Sequence, residues 1–275
     1  MPTYTTWGDE SFGVCIASYP GDLRFALGTI ESVRCFLGDT PRSIVRDGPG
    51  DLPLLRRRYG VHVIHRGNTR DRWLRTNSFG FGWTKMVAWW EAPFERFLYL
   101  DADTILWGDV ISRAVRECGD SWDVILDRPG APSTPEAVDR WFVHVEPASR
   151  LLGDFEWRNH LADFANTGAF FVRTSSLQLS GYRAVYDLAA RHPDLFLCGD
   201  QGALNYLVWH ASDAGTLAVR AMSMQTFALD HDPALLAARF PVGPNGPQPS
   251  DEPAGVLHWP LKKPWSVATM SIQHR

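Results

Sequence analysis

Residues 96–104 read RFLYLDADT, and their reading decides the fold. Phe97, Leu98, Tyr99 and Leu100 are β-formers in one continuous apolar run. Such a run suits a strand buried on both faces of a sheet. Asp101 and Asp103 then fall at or just past its carboxyl end, where open α/β sheets bind ligands. Two carboxylates this close repel each other, and a bound cation is the simplest thing that stabilises both as anions. Oxygen ligands select a hard ion, Mg²⁺ or Mn²⁺, which keeps coordination positions open for a phosphate. Asp-X-Asp also occurs in solvated loops. The buried strand in front of it favours a metal–diphosphate site.

Working outward, the first half alternates strand and helix signals. Residues 13–18 (GVCIAS) predict a buried strand, closed by the turn Tyr19-Pro20-Gly21-Asp22. Leu23, Leu27, Ile30, Val33 and Leu37 recur at helical spacing. Short strands are expected at 43–45 and 61–65, with a helix over 51–59 between them. Residues 67–82 are polar and glycine-bearing and read as a loop. A helix over 83–91 leads into the strand ending at Asp101, and another strand is expected at 124–126. This alternation predicts an α/β fold: a mostly parallel, Rossmann-like twisted sheet with helices on both faces. Further on, 169–172 (AFFV) reads as a strand, 177–191 and 200–210 as helices, and the proline- and glycine-rich stretch 241–253 as a loop. There is no internal repeat and no long linker, so one domain is expected, in two halves at about 13–126 and, with the tail, about 127–265.

Composition narrows the function. The chain has 275 residues, 45% hydrophobic, enough for a sizeable core. A formal net charge of −4 argues against a nucleic-acid binder that relies on a basic surface. The start, MPTYTTWGDE, is not built like a signal peptide, and no apolar run reaches the length of a membrane span. Cys15, Cys35, Cys118 and Cys198 form no CxxC pair, so neither a zinc site nor a disulfide framework is indicated and a cytoplasmic setting is expected. The 12 tryptophans, among them Trp73, Trp83, Trp89, Trp90, Trp141, Trp157 and Trp209, read mainly as core. Of the 27 basic residues only Lys85, Lys262 and Lys263 are lysines. Against so strong an arginine bias, a retained lysine is a candidate for a place that needs a compact ammonium.

Four stretches taken in order carry a family resemblance: TKMVAWWEAPFERFLYLDADT (84–104), FANTGAFFV (164–172), GDQGALNYL (199–207) and HWPLKKPW (258–265). Together they resemble the glycogenin-like, family-8 type of retaining glycosyltransferases with the GT-A fold, over about residues 13–265. The resemblance implies transfer of a sugar from a nucleotide-diphosphate sugar, expected to be a UDP-sugar, to an acceptor hydroxyl that the sequence does not identify. It implies metal ligands at Asp101, Asp103 and His258, with Asp101 also close to the ribose. Lys85 and Lys263 match lysines that reach the donor, the second at its diphosphate. Asn166 matches an asparagine that binds the donor sugar. Asp200 and Gln201 match the pair beside the reacting anomeric carbon. Ala17, Ser18 and Tyr19 lie where the family holds the base. All three lysines fall inside these motifs.

The chemistry needs such residues. Negative charge builds on the β-phosphate as the anomeric C–O bond breaks, and a divalent ion with an ammonium stabilises it. The sugar turns cationic, which a carboxylate and an amide on one face offset. Retention then needs no dedicated base, because the departing phosphate takes the acceptor's proton. The sequence departs from the family in its tail. Leu261 stands where a glycine is usual, and the His258–Lys263 interval is one residue shorter, which leaves Lys262 as an alternative contact. Thr167 stands where a smaller residue is common, and Asp127 is a further candidate at the donor sugar. Three rivals remain. Asp101 fits the nucleophile of a haloacid dehalogenase-like phosphatase, but that motif belongs on the first strand. A non-catalytic sugar-binding module would need only the tryptophans. An inverting transferase would need a carboxylate base.

Overall fold

The computed structural model describes residues 6–48, 52–80, 82–244 and 246–260. Its main sheet is built from β1 (Glu10–Ser18), β2 (Arg42–Arg46), β3 (His62–His65), β4 (Arg96–Asp101), β6 (Val124–Asp127), β7 (Ala169–Arg173) and β8 (Val219–Met222). The order across the sheet is β3-β2-β1-β4-β7-β6-β8, with Thr6–Trp7 added antiparallel to β1. Helix α1 (Leu23–Leu37) joins β1 to β2, and α2 (Leu52–Tyr59) joins β2 to β3. The chain then returns past β1 to lay down β4 on its other side. Strand order therefore reverses between β1 and β4, which pair in parallel with Ala17 opposite Asp101. That reversal is the topological switch point at which such sheets bind ligands.

The apolar run of β4 is buried on both faces. Phe97 and Tyr99 enter one core cluster, with Cys15, Ala17 and Val45 from the neighbouring strands. Leu98 and Leu100 enter the other, with Val14, Ile16, Ile44 and the inner face of α1. The period-2 alternation of strand side chains thus supplies both cores at once.

The sheet is mostly parallel, as expected, with β7 running antiparallel to both β4 and β6. Two expectations are corrected. The stretch 67–82 is not loop throughout: Arg72–Asn77 forms helix α3, whose N-cap Asp71 accepts from the Leu74 N–H at 2.9 Å. Its only buried residue is Leu74, too little apolar signal to reveal a helix by period. The expected helix over 83–91 begins as a 3₁₀ turn, Thr84–Val87, and becomes α4 only at Ala88–Glu91. Elsewhere the second half fills in with helices α6 (Pro135–Trp141) and α7 (Val145–Leu151), preceded by α5 (Val110–Cys118) and followed by α8 (Leu179–Arg191), α9 (Asp200–Asp213) and α10 (Pro233–Arg239).

A second, three-stranded sheet is absent from the sequence reading. Here β10 (Gly255–His258) lies between β5 (Thr104–Trp107) and β9 (Gln225–Phe227), and His258 is registered against both Thr104 and Phe227. This sheet carries the tail back to the Asp-X-Asp turn. The turn itself is braced from α1. The Thr29 hydroxyl lies 2.8 Å from the Ala102 carbonyl and 2.7 Å from that of Thr104. Ser32 donates to the Thr29 carbonyl and accepts from the Leu106 N–H.

Replacing Thr29 by Val keeps the shape but strips a donor from two carbonyls in a buried setting. Thr29→Val is expected to cost about 1–3 kcal/mol, read as a lower Tm, while Thr29→Ser retains stability. A Val variant as stable as the parent would show that the brace is dispensable.

Candidate active site

Asp101 ends β4, and Asp103 follows in the turn to β5. His258 arrives on β10. One ligand atom from each lies within 4.8 Å of the others. Asp103 and His258 are buried, and the Asp101 side chain keeps 23% exposure, so the cluster opens toward solvent through Asp101. His258 Nε2 stands 3.5 Å from Asp103 Oδ1. Its other nitrogen, Nδ1, is 2.9 Å from the side-chain oxygen of Gln225. An amide oxygen only accepts, so Nδ1 is the donor in this contact and Nε2 is the nitrogen that faces the carboxylates. That is the arrangement by which an outer partner orients a metal-ligating imidazole. Two carboxylates and a neutral imidazole make a donor set that fits Mn²⁺ or Mg²⁺.

The space for this imidazole is made by Gly168. A Cβ there would come within 2.2 Å of His258 Cε1. Gly168 also accepts the Asp101 N–H through its carbonyl, 2.8 Å away, and donates to Asn166 Oδ1. The glycine of the Asn-Thr-Gly motif therefore ties β7 to both aspartate and histidine. Gln225, Thr29 and Gly168 were not singled out from sequence. Gly168 was visible inside its motif, whereas Gln225 carries no local signal.

Beside the triad lies a buried charge cluster. The Lys85 ammonium contacts Asp101 Oδ1 at 3.1 Å, Asp200 Oδ2 at 2.9 Å and the Thr167 carbonyl at 3.0 Å. Thr167, at the position where a smaller residue is common, donates its hydroxyl to Asp200 at 2.8 Å. Tyr99 donates to Asp101 Oδ1 at 2.6 Å. Asp200 opens α9, packed where Gly82 and Gly199 meet. A Cβ on Gly82, itself at φ +87°, would come 3.0 Å from the Gly199 Cα.

A second polar line starts at the histidine. Gln225 Nε2 donates to the Asn166 carbonyl, and Asn166 Nδ2 donates to Gln201 Oε1 at 2.9 Å. Gln201 Nε2 in turn donates to the Trp141 carbonyl at 3.0 Å. Asp101, Asp103, His258, Lys85, Asn166, Asp200 and Gln201, far apart in sequence, thus share one site. At the end of β1, Ala17 and Ser18 are buried, and Asp22 accepts from the Ser18 hydroxyl and the Tyr19 N–H, each at 2.8 Å. Tyr19 faces the same charges: burial first, then Asp200, raises its phenol. Asp127 is turned into the structure, accepting the Met224 and Gln225 N–H groups; burial pushes its carboxyl up to about 6 against those bonds. Lys262 and Lys263 lie outside the described residues.

Comparison with known proteins bears on the same regions. Residues 87–239 match the family model for nucleotide-diphospho-sugar transferases, more than half of the 275-residue chain. The galactosyltransferase LgtC, solved with donor and acceptor sugar analogues, superposes with a TM-score of 0.56 at 15% identity over 95% of each chain. An active-site variant of LgtC with a glutamine changed to glutamate matches with a TM-score of 0.54 at 12% identity, again over 95% of each chain. Mouse xyloside xylosyltransferase 1 matches at 0.51 and 10% identity, covering 93% of this chain and 99% of that one. At these identities the likeness is one of fold, and the fold is that of GT-A glycosyltransferases. No curated protein matches in sequence.

The charge cluster has a pH signature. Burial raises the Asp200 carboxyl, while the Lys85 ammonium holds it down. Burial also disfavours charge on Lys85, but Asp101 and Asp200 outweigh it and keep the ammonium protonated far into the alkaline range. Removing Lys85 drives Asp200 further up. A carboxyl that binds its proton more tightly folded than unfolded loses stability as pH rises through that interval. Lys85→Met, measured in EDTA, is therefore expected to lose about 3–5 kcal/mol near neutrality and distinctly less near pH 4. An equal Tm penalty at both pH values would overturn this reading of the cluster.

Proposed function

This chain belongs to the nucleotide-diphospho-sugar transferase family, and from that premise we propose that it is a metal-dependent glycosyltransferase that moves the sugar of a UDP-sugar to an acceptor hydroxyl with retention of anomeric configuration. The observation that carries the reading is the juxtaposition at the switch point of the Asp101–Asp103–His258 triad, the Lys85–Asp200 pair and the Asn166–Gln201 pair.

In this reading Asp101, Asp103 and His258 hold Mn²⁺ or Mg²⁺, which when bound offsets the charge building on the departing diphosphate. Tyr19 and the backbone at the end of β1 receive the base, since the Ser18 hydroxyl is already given to Asp22. Lys85 fixes the Asp101 carboxylate toward the triad and adds positive charge on the donor side. Lys263 adds a second ammonium at the diphosphate. Asn166 binds the donor sugar, and Gln201 stands with Asp200 beside the reacting anomeric carbon. Asp200 lies where its carboxylate favours the cationic character of the anomeric carbon. LgtC has a glutamine in its active site, which agrees with a role for Gln201 in this one. The acceptor's proton leaves with the β-phosphate oxygen, so no further base is required. In this reading the chain is a single domain, with the donor half at about 13–126 and the acceptor half with the tail at about 127–265. Among the described residues no helix is long and apolar enough to cross a membrane.

Three experiments test the proposal. Asp103→Ala is expected to remove the Mn²⁺ dependence of nucleotide-diphosphate binding and abolish transfer, with Tm little changed. Equal nucleotide affinity of the parent in Mn²⁺ and in EDTA would overturn the metal site. Gln201→Ala is expected to lower kcat roughly tenfold or more, on the order of 1.4 kcal/mol in the barrier, with donor affinity nearly kept. NMR of the first-formed product is expected to show the donor's anomeric configuration, and an inverted product would remove the front-side mechanism.

A further inference from the structure

The formal charge of −4 conceals a strongly basic edge. Of the 24 arginines in the chain, seven fall between residues 56 and 75: Arg56, Arg57, Arg58, Arg66, Arg70, Arg72 and Arg75. The same stretch holds one acidic residue, Asp71. That is a local charge of +6 in a chain of −4, which leaves −10 on the rest. All seven arginines are exposed. They bracket β3, the strand that ends the main sheet. Arg56, Arg57 and Arg58 form the last turn of α2, which seats Leu55 in the core on one face of the sheet. Arg72 and Arg75 stand on α3, which seats Leu74 in the core on the other face. Burial first, then the Arg56 charge, lower the His62 and His65 imidazoles, so Arg56 acts on both ends of the edge strand.

These charges are not matched locally. Arg70 meets Glu91 at 3.1 Å, and Asp71 is taken by Arg183 and by the Leu74 N–H. Arg66 and Arg75 donate to the carbonyls of Phe79 and Thr69, which leaves their charge uncompensated. Among the described residues Arg56, Arg57, Arg58, Arg66, Arg72 and Arg75 form no ion pair. Elsewhere the surface behaves differently. Arg34, Arg113, Arg150, Arg158 and Arg239 each meet a glutamate. An arginine-rich composition alone therefore does not explain the edge.

We propose that this edge, formed by the end of α2, β3 and α3, docks on the surface of a bilayer that carries anionic phospholipids. The guanidinium fork matches phosphate oxygens two at a time and is weakly hydrated, so it gives up water to a headgroup readily. Basic residues near an anionic leaflet add their attractions, and the sum falls off within a Debye length. The charge layout favours a planar surface over a flexible polyanion. A polyanion long enough to wrap would meet the −10 carried by the rest of the chain, whereas a plane touches the basic edge alone and orients the molecule by it. Charged residues on an edge strand also deter pairing with another chain. That role belongs to residues on the strand itself, and all seven arginines lie outside β3. The candidate site, at the carboxyl ends of β1 and β4, begins two strands in from this edge, so docking leaves it open. The docking surface stands on charge and placement and does not depend on the donor reading.

The test is co-sedimentation of the full-length protein with phosphatidylcholine vesicles, with and without phosphatidylglycerol, at low and high salt. The parent is expected to bind only the vesicles that contain phosphatidylglycerol, and to leave them as salt rises. Arg56→Gln, Arg57→Gln and Arg58→Gln combined should lower the partition coefficient about a hundredfold. Lysine at the same three positions should keep most of the binding. Arg72→Gln, on the other face of the sheet, should weaken it about fivefold. A control that removes three glutamate-paired arginines, Arg34→Gln, Arg150→Gln and Arg158→Gln, changes the net charge equally and should bind as the parent does. Tm is expected to match the parent in the lysine and Arg72 variants. Equal binding to neutral and anionic vesicles, or to neither, overturns the proposal. An equal loss in the control would show that net charge rather than this edge is read, and overturns it too. Capture of a single-stranded oligonucleotide or an acidic peptide without vesicle binding would assign the edge to another polyanion and overturn the bilayer.

Discussion

One buried ammonium holds the site together. Lys85 touches Asp101 at the end of β4, Asp200 at the start of α9 and the Thr167 carbonyl before β7. These three segments belong to different parts of the chain, and no covalent neighbour fixes their spacing. Such a pair gains little net stability over apolar packing, because desolvating the charges costs about what their attraction returns. Its value is positional. With Asp200 committed to Lys85 and Thr167, the carboxylate is fixed beside the Asn166 and Gln201 amides. With Asp101 shared between Lys85 and Tyr99, its oxygens are oriented toward Asp103 and His258.

The triad itself depends on a second set of neutral contacts. Gln225 sets the His258 proton on Nδ1, Gly168 vacates the volume the ring occupies, and Thr29 pins the carbonyls of the Asp-X-Asp turn from below. Each is a small, uncharged group acting on a charged one. The small sheet of β9, β10 and β5 brings them within reach, by laying His258 across from Thr104. His258 thus reaches the two aspartates through strand pairing.

Charged and neutral groups are segregated. The carboxylates and the ammonium cluster at Asp101, Asp103, Asp200 and Lys85. The amides extend on the other side, from Gln225 through Asn166 to Gln201. The two sides share Asn166, whose side chain bonds Gln201 and the Gly168 N–H while its carbonyl accepts from Gln225. A sugar held at Asn166 would therefore sense both.

The sequence by itself determined the strand ends and hence the site's place. The double-sided apolar run 97–100 announced a central strand, and its terminal aspartates marked the carboxyl edge of the sheet. The period-3.6 pattern after Asp22 announced α1, and the spaced motifs held Lys85, Asp101, Asp103, Asn166, Asp200, Gln201 and His258, which the fold brings together. These are local signals, legible because burial of alternating or helical faces leaves a fixed period. What only the tertiary structure decided was partnership across the chain. The antiparallel entry of β7, the second sheet and the Gln225–His258 contact leave no period behind, because each depends on which distant segment arrives opposite. Helix α3 escaped for a related reason: one buried leucine and an aspartate cap define it, and a single apolar residue has no periodicity to read.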